Sequence, residues 1–429
     1  MPRANAQLSP LEPTWFADFP RGVEWAEVAG EPATTLVICD RSNGIHLFNL
    51  RTGARLVDAP ISMGSGARFG GFSAQTVYLL DRYVVAAIDI PATLDGTQTT
   101  KERWRIGDWS DAARKETGDP EFLPRVVAVA VADGGVLAAR SDGLVAFVQQ
   151  SDGKVRWRSE LPASSDIIAR ASGDQISMLL RAKGQPVAAF VPYRHALPTP
   201  TIRPLDKSWP TWSAATPTGL IAAWPGVIVR QPPAGDHVVL ASRLGGVRAA
   251  AIDVQTHEPP GDAPQAGALL KSTRVFFADP GGGIRAIDAD NGKPLWATPK
   301  SDDRKWSRLS TVGGVVLVAD DRGRFAGFDV RDGGEIARWS QSEPARFFDF
   351  EIDGRYVWAV RLARDRNRPA LELDRTTRFA PGGWDEKQAR ESEVRYALAA
   401  ESLPRQTLWP RGRLVLVEGN RVRTFVRPE

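Results

Sequence analysis

Cysteine is the residue type that the sequence has least of, because Cys39 is the single one among 429 residues. A disulfide bond within the chain is therefore impossible, and so is a metal or cluster site built from several cysteines. Cys39 lies in an apolar run, which predicts a small buried hydrophobic residue. The sequence also lacks an apolar run of about 18 residues, so no transmembrane segment is predicted.

Histidine and the common catalytic motifs are scarce as well. The four histidines are His46, His195, His237 and His257, and no two of them have the spacing of metal ligands. The Gly-x-Ser-x-Gly motif of serine hydrolases is missing, and residues 1–10 lack the apolar core of a signal peptide. We expect either a cytoplasmic protein or a mature domain whose leader is not part of this sequence.

An excess of charge of one sign is missing too. The chain has 55 Lys and Arg against 51 Asp and Glu, a formal net charge of +4. Domains that bind nucleic acid concentrate far more positive charge on one face, so no nucleic-acid partner is expected. With 42% hydrophobic and 25% charged residues, the composition is that of an ordinary globular protein.

What the sequence does contain is a repeated pattern, clearest between Val275 and Trp296. A short apolar run, a turn cluster and an alternating stretch follow one another, and Asn291-Gly292 then gives a strong hairpin signal. This order predicts three strands joined by two tight turns. The nearby Asp288 is interpreted as a turn residue, because the spacing of the carboxylates does not fit a calcium-binding loop.

The same order of strands and turns recurs along the chain, with second strands about 35 to 60 residues apart. Such a period, combined with turn residues, is typical of a β-propeller. We predict an all-β, eight-bladed propeller of four-stranded antiparallel blades, and about seven to nine blades are compatible with the pattern. Residues 13–429 are predicted to form this single domain, after a disordered tail at residues 1–12.

Two segments depart from the regular repeat. Residues 14–16 look like an isolated strand, and we expect them to pair with the C-terminal hairpin that ends at Val426, so that both termini close the ring. Residues 384–400 favour a helix by propensity, with Asp385 and Glu386 in the first turn, where the helix dipole favours acidic residues. This second segment is predicted as one helical insert.

The segment from Ala286 to Trp296 resembles the repeat of quinoprotein-like (PQQ-repeat) β-propellers, whose consensus is close to Ala-Leu-Asp-Ala-x-Thr-Gly-x-x-x-Trp. Further copies place Asp-Gly before a tryptophan at 152–157 and at 332–339. In that family such tryptophans dock one blade on the next. The resemblance therefore implies a structural role for Trp157, Trp296 and Trp339.

The resemblance implies one of two functions. One branch of the family consists of quinone-cofactor dehydrogenases that hold calcium, and the other consists of non-catalytic propellers similar to the outer-membrane assembly subunit BamB. We find no residue to assign as catalytic base, cofactor ligand or metal ligand. The leading hypothesis is a non-catalytic, BamB-like scaffold without a cofactor, monomeric by itself, which binds a protein partner on one propeller face.

The alternative is a dehydrogenase or other small-ligand binder that holds pyrroloquinoline quinone (PQQ) with calcium in the central channel. By resemblance, the cell envelope or periplasm of a bacterium is the expected location. Two irregular regions are candidate partner sites. The first is the charged segment at residues 361–368. It is interpreted either as a solvated loop or as a contact for an acidic partner through Arg361, Arg364, Arg366 and Arg368. Trp209 and Trp212 are interpreted either as core residues of an irregular blade or as an exposed binding surface.

Overall fold

The chain divides into two compact units. Unit 1 comprises Met1–Leu11 and Pro210–Ala400, and unit 2 comprises Glu12–Trp209 and Glu401–Glu429. The prediction of a single domain over residues 13–429 stays a prediction. The computed structural model describes residues 9–30, 33–90, 100–107, 124–196, 198–205, 208–216, 218–224, 227–242, 250–256, 271–279, 281–300, 306–312, 315–320, 324–339, 346–353, 356–365, 368–377, 394–400 and 402–428.

The regular structure of the described residues consists of strands, numbered here in chain order. The N-terminal strands are β1 (Ser9–Leu11) and β2 (Trp15–Asp18). The next are β3 (Val23–Ala29), β4 (Thr35–Asp40), β5 (Gly44–Asn49), β6 (Ile61–Ser62), β7 (Arg68–Ser73), β8 (Thr76–Leu80), β9 (Val85–Asp89), β10 (Lys101–Ile106), β11 (Val126–Ala132), β12 (Gly135–Arg140), β13 (Leu144–Gln149), β14 (Val155–Glu160), β15 (Ile167–Ser172), β16 (Gln175–Ala182), β17 (Gln185–Val191) and β18 (Thr201–Pro204).

The strands of unit 1 follow, and the last three strands return to unit 2. Those of unit 1 are β19 (Trp212–Thr216), β20 (Gly219–Trp224), β21 (Val227–Gln231), β22 (Val238–Ser242), β23 (Ala250–Thr256), β24 (Lys271–Ala278), β25 (Ile284–Asp288), β26 (Pro294–Ala297), β27 (Trp306–Val312), β28 (Val315–Asp320), β29 (Phe325–Asp329), β30 (Glu335–Trp339), β31 (Arg346–Asp353), β32 (Tyr356–Asp365), β33 (Arg368–Thr377) and β34 (Val394–Leu398). The last three are β35 (Gln406–Leu408), β36 (Arg413–Val417) and β37 (Arg421–Val426).

In the described part of the chain these strands form nine sheets, eight of four strands and one of five. Unit 2 contains β3–β6, β7–β10, β11–β14, β15–β18 and the sheet β2-β37-β36-β35. Unit 1 contains β19–β22, β23–β26, β27–β30 and the five-stranded sheet β1-β34-β33-β32-β31. The predicted all-β fold with sheets of four antiparallel strands, the blade type of a propeller, is confirmed. The nine sheets of the described residues lie at the upper end of the predicted range.

The burial pattern of the strands explains how the sheets pack. The second strand of a sheet is apolar over most of its length: β12 and β28 are buried at every position and carry one charged residue each, Arg140 and Asp320, at the C-terminal end. The fourth strand alternates instead, as in β14, where Trp157 is buried between exposed arginines. A strand covered on both faces needs continuous apolar sequence, whereas an outer strand needs it on one face only. The core therefore lies between successive sheets, with Phe147 and Met178 sharing one cluster in unit 2 and Phe276 and Val318 another in unit 1.

The two ends of the chain contribute to different sheets. β2 pairs antiparallel with β37, with Trp15 opposite Thr424, and the backbone N–H of Thr14 donates to the Thr424 carbonyl at 2.7 Å. The predicted pairing of the terminal strands is therefore confirmed. Ser9–Leu11, which the sequence analysis assigned to the disordered tail, instead form β1 and pair in parallel with β34. Residues 1–8 lie outside the described residues.

The predicted helical insert is wrong for the part that the structure describes. Val394–Leu398 form β34, which pairs antiparallel with β33, whereas residues 384–393 lie outside the described residues. Valine and tyrosine favour strands, and pairing with a neighbouring strand overrides the weak helix propensity of the flanking residues. Among the described residues, no helix is long and apolar enough to cross a membrane.

Candidate functional site

Four turns between a third and a fourth strand share a backbone hydrogen bond, in which the N–H of a glycine donates to the carbonyl of the residue four positions before it. After β5, Oδ1 of Asn49 accepts the backbone N–H groups of Arg51 (2.8 Å) and Thr52 (3.1 Å), while the Gly53 N–H donates to the Asn49 carbonyl (2.9 Å). Asp288 and Asp329 accept backbone N–H groups in the same way. We call these segments the docked turns; they comprise residues 49–53, 149–153, 288–292 and 329–333.

Each docked turn ends in a glycine whose φ is 72° or 74°. This left-handed conformation favours glycine, and the missing Cβ also admits a tryptophan ring. In three turns, the nearest ring atom lies 2.6 Å from where a Cβ would stand. The three pairs are Trp15 on Gly53, Trp104 on Gly153 and Trp296 on Gly333.

The same tryptophans donate a hydrogen bond to the turn on which they lie. The acceptors are the carbonyls of Leu50 for Trp15, Gln150 for Trp104 and Val330 for Trp296, each 3.0 Å from Nε1. In every case the tryptophan belongs to the fourth strand of one sheet and the turn to the next sheet. We call this combination of ring contact and hydrogen bond the tryptophan dock.

The tryptophans predicted to dock occupy different settings. Trp157 is buried, stacks on Phe147 with 5.7 Å between ring centroids, and donates to the Tyr193 carbonyl of the next sheet at 3.0 Å. Trp296 is half-buried on Gly333, as described above. Trp339 is the last residue of β30, and its side chain lies outside the described part of the structure. The energetic role of all three stays a prediction.

Trp15 and Trp104 complete the same dock but were not identified from the sequence. The repeat consensus relates a tryptophan only to the glycine that precedes it in the sequence. The informative spacing runs forward instead, from the tryptophan to the acceptor carbonyl of the next sheet, 35 residues on for Trp15 and 46 for Trp104. A forward search would have found both, because both spacings are close to the length of one repeat.

The described residues of the arginine-rich segment 361–368 lie in strands rather than in the loop that the sequence predicted. Arg361 lies in β32, is buried, and forms ion pairs with Glu372 and with Asp374, whose Oδ2 lies 2.6 Å from Nε. It is therefore an internal charge and does not lie on the surface for a partner. Arg364 and Arg368 lie on β32 and β33, where their side chains fall outside the description, and Arg366 is not among the described residues.

The two tryptophans of the irregular region are both half-buried. In unit 2, the Arg181 guanidinium lies over the ring of Trp209, with 5.0 Å between Cζ and the ring centroid. In unit 1, Trp212 begins β19 and packs against the apolar cluster that contains Ile221 and Phe277. Trp212 thus has the core contacts of the first interpretation, whereas Trp209 carries a cation on its ring. Their role in partner binding stays a prediction.

The structure also shows the surroundings of Cys39 and Asp288. Burial, reinforced by the Asp40 carboxylate, raises the pKa of the Cys39 thiol to about 12, so this cysteine is not a nucleophile at neutral pH. Asp288 uses Oδ1 to accept the N–H groups of Asp290 and Asn291. Among the described residues, no three His, Cys, Asp or Glu side chains gather as metal ligands.

A cavity of about 380 Å³ lies beside docked turn 149–153 in unit 2. Arg103 of β10 and Arg156 of β14 line it together with the turn residues Gln149, Gln150 and Ser151. The cavity had no signal in the sequence, because Arg103 belongs to one sheet and the other residues belong to the next. It places two guanidinium groups beside a turn that the tryptophan dock holds in position.

The comparisons with known proteins support the repeat. Residues 251–349, which include docked turns 288–292 and 329–333, match a family model described as "Outer membrane protein assembly factor BamB". No curated protein matches the chain significantly.

Among solved structures, BamB from Moraxella catarrhalis is similar at 12% identity over 82% of this chain and 94% of that chain, with a TM-score of 0.42. Apo AztD from Citrobacter koseri is similar at 12% identity over 74% and 87% of the two chains, with a TM-score of 0.45. The computationally designed Ika8 protein is similar at 12% identity over 98% and 100%, with a TM-score of 0.49. At this identity, none of them assigns a function to the chain. The predicted resemblance to PQQ-repeat β-propellers is confirmed, and the family model carries it across residues 251–349.

Proposed function

We propose that this protein is a non-catalytic interaction scaffold that binds a protein partner at its docked turns. The observation that carries the proposal is the tryptophan dock. In this dock, the repeated Asn or Asp, Gly and Trp residues form contacts between successive sheets. We therefore assign the motif a structural role, as a frame that positions the turns. Loops held by such a frame commonly carry binding residues. In unit 2 the exposed residues of the docked turns are Arg51, Thr52, Ser151 and Asp152.

Site-specific photo-crosslinking tests which end of the sheets is used. A photoreactive residue at Thr52 or Asp152 samples the docked turns, and the same residue at Ser42 or Asp142 samples the turns between second and third strands. All four positions are exposed, and each control lies at the opposite end of the same sheet. We expect one protein to be crosslinked from Thr52 or Asp152 but not from the controls. Crosslinking from all four positions alike, or from none, would contradict the proposal.

The family model that matches residues 251–349 bears the name of an outer-membrane assembly factor, which supports an envelope assembly as the setting. We therefore extend the proposal to a partner in the bacterial cell envelope. Cell fractionation with immunoblotting tests this extension. Recovery with the envelope fraction is expected, and recovery in the cytoplasmic fraction alone would remove it without affecting the scaffold proposal.

The alternative function, a quinone-dependent dehydrogenase or other small-ligand binder, rests on the resemblance of the segment from Ala286 to Trp296 to the quinoprotein-type repeat. Titration calorimetry with PQQ, in the presence and absence of calcium, distinguishes the two. The scaffold proposal predicts no measurable heat of binding. A dissociation constant in the micromolar range that depends on calcium would replace the scaffold with the cofactor-binding function.

A further inference from the structure

We infer that the cavity beside docked turn 149–153 binds a carboxylate of the protein partner, from an acidic side chain or a chain terminus. The inference rests on the proposed function and adds the chemistry of the group that is recognised. The cavity volume of about 380 Å³ lies at the lower end of the range of small-molecule pockets, about 300–1,000 Å³. It is therefore sized for one or two residues of a peptide.

The two guanidinium groups that line the cavity keep donors for a ligand. Arg103 donates from Nε to the Asp89 carboxylate (2.9 Å) and from Nη1 to the Gln150 carbonyl (3.1 Å). Arg156 donates from Nη2 to the Arg194 carbonyl (3.1 Å). Each guanidinium has five N–H donors, and these contacts use two and one of them. The charge of Arg103 is partly balanced by Asp89, whereas the contact of Arg156 is with a carbonyl.

The acidic side chains closest in sequence to the cavity are already paired. The Asp152 carboxylate lies 3.1 Å from the Lys154 ammonium, and the Asp133 carboxylate lies 3.3 Å from the Arg194 guanidinium. Both pairs are largely exposed. Within each pair, the positive and the negative charge balance each other. The cavity therefore keeps a positive character from Arg156 that a ligand carboxylate would balance.

The backbone of the cavity is fixed before any ligand binds. The Gln150 N–H donates to the Gly134 carbonyl at 3.0 Å, and its side-chain amide donates to the Thr76 hydroxyl at 3.3 Å. Its carbonyl accepts the Trp104 indole N–H at 3.0 Å. Because the tryptophan dock holds the turn, little conformational entropy of the turn is lost when a ligand binds.

The donor set selects a carboxylate on a peptide. The planar fork of a guanidinium matches the two oxygens of a carboxylate, and the Gln149 amide and the Ser151 hydroxyl add neutral donors. Gly134 and Ser151 are exposed at the rim, within reach of a partner on the docked turn.

The test is a nuclear magnetic resonance titration that observes the indole N–H signal of Trp104, assigned by its loss in Trp104→Phe. Three probes are compared: acetyl-Gly-Glu-Gly-amide, acetyl-Gly-Gln-Gly-amide and acetyl-Gly-Gly-Gly with a free C-terminal carboxylate. We expect a saturable shift with one or both of the carboxylate probes and none with the glutamine probe. The response of the glutamate and free-terminus probes distinguishes a side chain from a chain terminus as the source.

The variants use neighbouring arginines of the same strand. Arg156→Gln removes one lining guanidinium, and Arg158→Gln removes an exposed arginine two residues further along β14 that does not line the cavity. Loss of a charge-assisted hydrogen bond is expected to weaken binding about tenfold in Arg156→Gln, with less than about a twofold change in Arg158→Gln. If the melting temperature shows that Arg156→Gln is misfolded, Arg103→Gln takes its place.

Equal weakening in both variants, or a shift with the glutamine probe as large as with the glutamate probe, overturns the inference. So does the absence of any shift. The scaffold proposal is tested separately by crosslinking from Asp152 in the Arg156→Gln background. Undiminished crosslinking in this variant would contradict the carboxylate site and leave the scaffold proposal intact. Carboxylate binding without crosslinking from the docked turns would contradict the scaffold proposal and leave the carboxylate site intact.

Discussion

Two docks of unit 1 differ in the residue that approaches the docked turn. At turn 329–333, the indole of Trp296 lies on Gly333 and donates to the Val330 carbonyl at 3.0 Å. At turn 288–292, Leu240 takes that place, and its backbone O and Cα lie 2.6 and 2.7 Å from where a Cβ of Gly292 would stand. The glycine is thus required under an indole and under a leucine backbone alike.

The hydrogen bond to the turn also has a different donor in the leucine dock. Leucine has no side-chain N–H, and there the Arg230 guanidinium donates to the Asp290 carbonyl at 2.7 Å while the Thr218 hydroxyl donates to the Asp290 carboxylate at 2.7 Å. A close contact on glycine and a hydrogen bond to the turn are therefore common to both docks. The side chain that supplies the donor varies, which is why a search for tryptophan alone finds some of the docks and misses others.

The largest expected effect comes from removing a dock together with its strand. Deleting residues 1–20 removes β1 with its pairing to β34, and it removes β2 and the dock of Trp15 on Gly53, which exposes the edge of β37. We expect the melting temperature to fall by roughly 10 °C or more, since each kcal/mol corresponds to a few degrees in a protein of this size. Scanning calorimetry measures it, and Trp15→Ala shows how much of the loss belongs to the dock.

Phe16→Ser is the matched control, because Phe16 lies on the same strand and is 54% exposed. Its melting temperature should stay within about two degrees of the unaltered protein. An unchanged melting temperature after deletion of residues 1–20 would show that the pairing of β2 with β37 contributes little to stability.

Truncating the buried side chain of Trp157 should cost more stability than truncating the side chain of Leu240. Trp157→Ala removes a side chain that is 3% exposed and should lower the free energy of unfolding by about 3–5 kcal/mol. Leu240→Ala should cost about 2–4 kcal/mol, since its side chain is smaller and its backbone contact with Gly292 remains. Urea unfolding followed by circular dichroism measures both. A larger loss for Leu240→Ala than for Trp157→Ala would reverse the proposed ranking.

Trp157→Phe divides the tryptophan contribution into ring and hydrogen bond. The phenyl ring keeps most of the apolar contact with Phe147, but the Tyr193 carbonyl loses its indole donor. We expect a loss of about 1–3 kcal/mol, the cost of an unsatisfied buried acceptor together with the smaller ring. A variant as stable as the unaltered protein would show that the ring contact accounts for the whole contribution of Trp157.

The glycine of a docked turn can be separated into its two roles. Gly153→Ala must adopt a φ of 72° and place its Cβ 2.6 Å from a ring atom of Trp104. Gly184→Ala must adopt a φ of 82°, but nothing lies within 4 Å of its Cβ. We expect losses of about 2–4 and about 1 kcal/mol respectively, because only the first combines backbone strain with overpacking. Equal losses in urea unfolding would mean that the close approach of the ring costs nothing.

The parts of the fold that could be predicted are those decided within a few residues. The strands and turns between Val275 and Trp296 follow from local turn chemistry, and the structure has them as β24, β25 and β26. The dock of Trp15 on Gly53 could not be read locally, because it joins two sheets. The carboxylate cavity had no signal for the same reason: Arg103 and Arg156 lie on different sheets.

The wrong predictions came from reading charge and propensity without strand pairing. Arg361 was interpreted as part of a charged loop, either solvated or in contact with an acidic partner, yet it pairs with Glu372 and Asp374 of the neighbouring strand inside the sheet. The helix predicted for Val394–Leu398 rested on the propensity of its neighbours, and the open edge of β33 decided otherwise. In both cases a partner strand outweighed the local signal.

The smallest expected effect concerns the carboxylate at the opposite end of a sheet from a docked turn. Oδ1 of Asp40 accepts the N–H groups of Ser42 (2.7 Å) and Gly44 (3.0 Å), and Oδ2 lies 2.9 Å from Nε2 of His46. Burial acts to raise the pKa of Asp40, but the hydrogen bonds from His46 and from the two backbone N–H groups outweigh it and hold the pKa below its ordinary value of 3.8.

Because the folded pKa of Asp40 is the lower one, the stabilisation is fully present above about pH 4 and is lost as the pH falls through the folded pKa. Asp40→Asn should therefore cost about 1–2 kcal/mol at pH 6, and this difference from the unaltered protein should shrink steadily below pH 4. Urea unfolding of both proteins between pH 6 and pH 2.5 measures it. A difference that is constant over this range would mean that the shape of the Asp40 side chain, and not its charge, holds the turn.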